Sequence, residues 1–397
     1  MKLRTLLFAG IGVLSLQPTP VLAGDRLLVD VSAGISASRN PFLQTGDNTA
    51  AAAAFIQADP QFQISDEVST ISLNGTFRLN HYLSRYGSDV SARGGLNVER
   101  HLSSATLLRA RASAQVARTS ALDFFTAVGS GQFDGTAPLI LPDVTFAGSR
   151  SRTTVLNAGV GLDHELNERE RVAFDLDVTT SQFSQAGQSD YRFASANFDY
   201  RRAVSERTSA FAALRVGYSD YLGGRLDDGT ILEPTVGIAT QLNSRLSLEA
   251  GIGVSLSRVN VLNGRKDSRL VPSAHLTLCE RLVDSKGCIS ASRGSQPTAL
   301  SGLTTVTTVG FNYSRPISQR DQLVASANYT RTDRPSMLRA SPGSDLLTAS
   351  ATYDRTISPR FAVFLTPSYA RIFDSGLSRR ADLAVRVGLR YRFGSQG

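Results

Sequence analysis

Leu383-Ala384-Val385-Arg386-Val387-Gly388-Leu389-Arg390-Tyr391-Arg392-Phe393 alternates from end to end. Leu383, Val385, Val387, Leu389, Tyr391 and Phe393 share one phase, and Asp382, Arg386, Arg390 and Arg392 share the other. A period of two sends successive side chains to opposite faces of an extended strand. One face of this strand is therefore apolar and the other carries charge through its middle. Charges at that depth need water or counter-charges on their own side.

The pattern repeats upstream. Leu27, Val29, Val31, Ala33, Ile35 and Ala37 alternate with Leu28, Asp30, Ser32, Gly34 and Ser36. Ile71, Leu73, Phe77 and Leu79 alternate with Ser72, Asn74, Arg78 and Asn80. Val172, Phe174, Leu176 and Val178 do so with Arg171, Asp175, Asp177 and Thr179. Leu246, Leu248, Ala250, Ile252, Val254 and Leu256 do so with Ser247, Glu249, Ser255 and Ser257. These segments exceed the ~5–6 residues usual in soluble strands and reach the ~9–11 that cross a bilayer. Aromatics near segment ends (Tyr82, Tyr86, Tyr191, Tyr218, Tyr221, Phe361, Phe373 and Phe393) fit interfacial girdles, although the chain has no Trp.

The 397 residues are 41% hydrophobic and 19% charged. Beyond the first 25 residues, no apolar stretch approaches the ~20 residues that a membrane helix requires. The reading is an all-β chain forming a transmembrane up-and-down antiparallel β-barrel, since strands cross lipid only when closure leaves no edge.

Lys2 and Arg4, the apolar run Leu6–Leu16, Pro18, Pro20 and Val21-Leu22-Ala23 have the order of a secretory signal peptide. The expectation is a signal peptide over 1–23, cleavage after Ala23, export through the general secretory pathway, and a barrel over 24–397 in a Gram-negative outer membrane. The formal charge is +8, and of 42 basic residues only Lys2, Lys266 and Lys286 are lysine. The charge is scattered singly, without the basic stripe or aromatic platform of a nucleic-acid binder.

A turn motif counts the strands: an apolar residue, Ser or Asn, any residue, then Arg. It occurs at Leu166–Arg169, Val204–Arg207, Leu242–Arg245, Ile317–Arg320 and Ile357–Arg360. Leu278–Arg281 is a degenerate copy, and Leu102–Ala105 lacks the Arg. Starts from Leu166 are 38, 38, 36, 39 and 40 residues apart. Each period holds two long strands, a short periplasmic turn and a longer external loop. The count is 18 strands, with 16 as the alternative if the weakly patterned 282–297 stretch forms none. Cys279 and Cys288, close together in an oxidising compartment, are expected to pair; two buried thiols are the alternative.

The repeated Arg-containing turns, as in Tyr313-Ser314-Arg315-Pro316-Ile317-Ser318-Gln319-Arg320, and the aromatic-ended last strand resemble the beta-barrel porin 2 family of proteobacterial outer-membrane proteins. The resemblance covers the mature chain and implies a role in exopolysaccharide export, with periplasmic export components as partners. The last strand also looks like the signal read by the barrel-assembly machinery, except that Gly394-Ser395-Gln396-Gly397 follows Phe393.

For function, a barrel this wide encloses an aqueous channel unless something fills it. Loop 119–152 carries Phe124, Phe125 and Phe133 among other apolar residues, together with Asp134, and is expected to narrow the lumen; the alternative is packing on the outer rim. Arg93, Arg109, Arg111, Arg215, Arg386, Arg390 and Arg392 fall on polar phases, where rings of positive charge favour anions. Asp163, Asp175, Asp177, Asp199, Glu249 and Asp382 share that face, so a wall of paired charges is the competing reading.

Of four histidines, His81 is the catalytic candidate, with Asp89 across a short loop, and an exposed interfacial His is the plainer reading. Asp227-Asp228-Gly229 is read as a turn rather than a calcium site. Neither metal spacing nor a nucleophile elbow is present, and no cofactor is expected. The expected function is a porin-like channel contacting outer-membrane lipid and passing small anionic solutes or a polymer. A plugged receptor or adhesin and a barrel hydrolase are the alternatives.

Overall fold

The computed structural model describes residues 26–118, 150–185, 187–223, 226–261, 265–300, 302–333, 344–374 and 379–394. The expected signal peptide and Phe124, Phe125, Phe133 and Asp134 lie outside them.

Among the described residues eighteen strands follow one another: β1 (Arg26–Ser38), β2 (Ala51–Ser65), β3 (Ser69–Tyr82), β4 (Ser88–Ser103), β5 (Thr106–Arg118), β6 (Arg152–Asn167), β7 (Glu170–Phe183), β8 (Asp190–Ala203) and β9 (Thr208–Leu222). The second half comprises β10 (Gly229–Gln241), β11 (Leu246–Val261), β12 (Arg265–Arg281), β13 (Lys286–Thr298), β14 (Gly302–Pro316), β15 (Asp321–Thr332), β16 (Ser344–Ser358), β17 (Phe361–Asp374) and β18 (Asp382–Phe393). Each pairs antiparallel with its sequence neighbour, and β1 pairs with β18 from Val29↔Phe393 to Ser38↔Ala384, closing the ring. A 14-residue strand such as β7 rises about 46 Å along its own axis, or about 33 Å along the barrel axis at a ~45° tilt, enough for a ~25 Å apolar band and both interfaces.

The barrel is apolar outside and polar inside. On β18, Asp382 is 1% exposed while Leu383 is 55% exposed, and Val385, Val387, Leu389, Tyr391 and Phe393 all stand outward. In water this surface would be untenable; lipid is the solvent it fits.

Turn chemistry sets the register at one rim. Asn167, Ser205, Asn243 and Ser318 each accept, through the side chain, the amide two residues on, from Arg169, Arg207, Arg245 and Arg320. Ser103 does the same for Ala105 and Asp66 for Val68. The turn arginine serves the wall through its backbone: the carbonyls of Arg169, Arg207, Arg245, Arg320 and Arg360 accept amides of Ala203, Gln241, Arg281, Thr356 and Arg392 on the next strand.

Leu278–Arg281 departs from this scheme. It is not a turn, because β12 continues through Arg281 and the reversal falls at 282–285, where Leu282 N donates to Ser285 O. Cys279 and Cys288 are register partners just inside it and form a disulfide. The weakly patterned stretch beyond is a strand, β13, so the count is 18 and not 16.

Candidate functional site: the lumen wall and an inturned hairpin

Arginine and aspartate rows on β5–β7 begin the lumen wall. Arg109↔Gly161↔Asp175 and Arg111↔Gly159↔Asp177 are each opposite one another across three strands. The guanidinium reaches over the glycine to the carboxylate: Arg111 Nη2 lies 2.7 Å from Asp177 Oδ2, and Arg109 Nη2 lies 3.6 Å from Asp175 Oδ1. A Cβ on Gly159 would sit 2.2 Å from Asp177 Oδ1, and one on Gly161 would sit 2.3 Å from Asp175 Oδ1. Only glycine leaves the pairs room. Asp163 joins the rows, its Oδ2 2.7 Å from Arg109 Nη2, and it also pairs with Arg171. Three cations here meet three carboxylates.

A second device is an arginine laid on a ring that is itself laid on a glycine. Arg386 lies 4.8 Å from the Phe55 ring centroid, Arg201 5.3 Å from Phe211, and Arg215 5.5 Å from Phe193. Those rings lie over Gly34, Gly237 and Gly217, whose missing Cβ would come within 2.9 Å of ring carbon in each case. Flat rings leave the bore wide while the cation gains the ring quadrupole. Arg201 also reaches Glu249 at 3.3 Å, and His275 stacks on Phe211 with Nε2 3.8 Å from Glu249.

Two of the remaining arginine candidates are ion-paired. Arg390 pairs with Asp354, and Arg392 pairs with Asp30 at 2.7 Å. Arg93 stands on the lumen phase of β4, opposite Thr76 and Gln115. Asp382, at the long-loop end of β18, accepts Ser38 Oγ at 2.6 Å and Asn40 N at 2.8 Å. Most of the expected positive ring is thus neutralised in place. His81 and Asp89 do not meet: His81 shares the outward face of β3 with Phe77 and contacts Ser88 Oγ at 2.9 Å, while Asp89 is buried inside near Arg118. Asp228 is used locally, accepting Tyr221 N at 2.9 Å.

Among the described residues, two elements fold inward from the long-loop rim. In the β1–β2 loop, Phe42 is buried against Tyr82 and Tyr86, with Arg150 over both Phe42 and Tyr86. The second is the upper part of the β13–β14 hairpin. β12 and β13 pair only from Arg281↔Lys286 to Ala274↔Arg293, whereas β13 and β14 stay paired to Thr298↔Gly302. Above Arg293 the hairpin leaves the wall and lies on the lumen face of β8–β11. Ser295 Oγ meets Ser255 Oγ at 2.9 Å. Thr298 N donates to Tyr221 Oη at 3.2 Å, and Ser189 N donates to Ala299 O at 2.9 Å. Leu303 enters a cluster of Tyr191, Phe193, Tyr221 and Ile231. The wall residues beneath are sealed: Ser219 and Ser255 are 0% exposed and Ile231 is 1% exposed.

Four residues expected in the aromatic girdle are therefore inside. Tyr82, Tyr86, Tyr191 and Tyr221 belong to these inward clusters, whereas Tyr218, Phe373 and Phe393 do stand outward. Position at a strand end does not separate an interface from a lumen rim; parity does, since Tyr82 shares the inward phase of Arg78 and Asn80.

Closure, an apolar exterior and a polar interior define a membrane-spanning β-barrel of the outer-membrane type. No protein-family model and no curated protein matches the chain. Among solved structures it is similar to the OpdL protein of Pseudomonas aeruginosa, with 13% identity over 94% of this chain and 99% of that one and a TM-score of 0.45. OccAB3 of Acinetobacter baumannii has 8% identity over 94% and 100%, with a TM-score of 0.44. The FrpB iron transporter of Neisseria meningitidis has 8% identity over 93% and 82%, with a TM-score of 0.46.

Proposed function

We propose that the chain is a passive, porin-like outer-membrane channel for small polar and anionic solutes. The observation that carries this is the inner wall, where ion-paired and arginine-capped surfaces run through a closed ring with an apolar exterior. Such a wall hydrates solutes without holding any one of them tightly. The resemblance to the beta-barrel porin 2 family supports a finer reading, a conduit or accessory for exopolysaccharide export working with periplasmic components.

Single-channel conductance in planar bilayers tests the channel. Because most lumen charges are paired, the wild-type reversal potential in a salt gradient is expected to show only a weak anion preference. Arg390→Ala strips Asp354 of its guanidinium partner, and Arg386→Ala removes the cation over Phe55. Both should move the reversal potential toward cations, Arg390→Ala further. Current block by an acidic oligosaccharide and not by a neutral one would support the polymer reading. Silence from a folded barrel would sink the channel. It would favour a plugged receptor.

A further inference from the structure

The inturned part of the β13–β14 hairpin belongs neither to the barrel wall nor to the loop expected to narrow it. We propose that residues 294–300 and 302–305 of this hairpin form the permeability-limiting constriction of the channel, held in a fixed seat on the lumen face of β8–β11. This deepens the channel reading and rests on it.

Three sets of contacts fix the seat. At the tip, Leu303 fills the aromatic cluster and Gly229 is shaped to receive it: a Cβ there would lie 2.4 Å from Leu303 Cδ1. Midway, the Ser295–Ser255 bond joins the hairpin to the wall. At the base, Asp333 ties the point of departure. Its amide donates to Thr305 O at 2.9 Å, its carbonyl accepts Thr304 Oγ1 at 2.7 Å, and its carboxylate takes Arg293 Nη2 at 2.9 Å. Arg269 of β12 and Arg331 of β15 approach the same carboxylate at 4.0 and 3.6 Å. The strand that would have continued beside β12 is thus anchored in a second position by polar groups of matched chemistry.

Composition agrees. Residues 294–308 are rich in Gly, Ser and Thr, with Leu300, Leu303 and Val306 as the large aliphatics. A segment with wall on one side and lumen on the other has no lipid face to mark with apolar residues. The weak alternation of this stretch is the signature of its position.

The test shortens the hairpin without changing its tip or facing. Ser295↔Thr305 and Gln296↔Thr304 are register pairs, and deleting all four residues preserves the period of two. The tip withdraws by about 7 Å. A single thiol introduced by Ser219→Cys, fully buried beside Gly229 under the hairpin tip, reports the seat, because a water-soluble thiol reagent reaches it only if the tip no longer covers it. In the full-length hairpin it should label slowly; in the shortened one, quickly, with conductance raised about twofold by the wider bore. Leu303→Asn, which keeps chain length, should move both readouts the same way and stands in if the deletion does not fold.

Equal labelling in long and short forms overturns the seat. Faster labelling with wild-type conductance unchanged overturns the constriction and leaves the channel reading intact. Faster labelling with no conductance in either form overturns the channel reading, and the constriction with it.

Discussion

At the residue scale, the lumen shows which properties a single strand reveals and which need its neighbours. The polar phase of Arg109 and Arg111 is legible from β5 alone. Their partners are not, because Asp175 and Asp177 lie two strands away and reach them only through a register set by the β5–β6 and β6–β7 pairings. Gly159 and Gly161 read as weak points in a strand until those rows are assembled. The chemistry implies a measurable asymmetry. Arg111→Leu leaves Asp177, whose side chain is 6% exposed, without its bidentate partner. The cost is expected to be on the order of 2 kcal/mol, toward the low side for a broken buried pair because the guanidinium is partly wet. Urea unfolding of the refolded barrel measures it. Replacing both residues, Arg111→Leu with Asp177→Leu, should recover much of the loss, since no orphan charge then remains. A double variant as unstable as the single one would locate the effect in packing instead.

At the element scale, the short turns were readable because Ser and Asn act within their own turn and need no distant partner. The motif's arginine contributes a backbone carbonyl that any residue supplies. Asn243→Ala removes acceptors for the Arg245 and Leu246 amides and is expected to cost about 1 kcal/mol. Arg245→Ala should stay within about 0.5 kcal/mol of wild type. Equal losses in the two would reverse the assignment.

Asp66 performs the same role with a carboxylate. The Ser69 hydroxyl, then the Val68 and Ser69 amides, hold it below the ordinary aspartate range. A depressed folded-state value means that the contribution is present above the unfolded aspartate value and fades as pH falls through the folded one. The stability difference between wild type and Asp66→Ala should therefore close in acid. Leu278–Arg281 imitated the motif because Cys279 occupies the Ser/Asn position, but a disulfide partner nine residues on keeps it in the strand. Reducing that bond should cost about 2 to 3 kcal/mol by the loop-entropy model, read as a shift in the urea midpoint between oxidised and reduced barrel.

At the scale of the whole molecule, the fold was legible because lipid imposes one rule everywhere: every strand must be apolar on its outward phase and long enough to cross. The inturned hairpin escaped because that rule does not reach inside the lumen. The rule itself is open to direct measurement. Val387 stands outward near the middle of β18, 42% exposed in the absence of lipid, and Asn74 stands on the lumen phase near the middle of β3. In a soluble barrel, arginine at either exposed position would cost little. In a bilayer the two separate. Val387→Arg places a charge at the depth where lipid-facing cations cost about 2–4 kcal/mol, while Asn74→Arg meets a wetted wall. Refolding the two variants into vesicles and titrating with urea should show Val387→Arg destabilised by that amount and Asn74→Arg within about 0.5 kcal/mol of wild type. The same comparison in a detergent micelle, which deforms around a charge, should narrow the gap. If both variants match wild type in vesicles, the apolar band does not face lipid, and the outward row from Leu383 to Phe393 needs a protein partner to cover it.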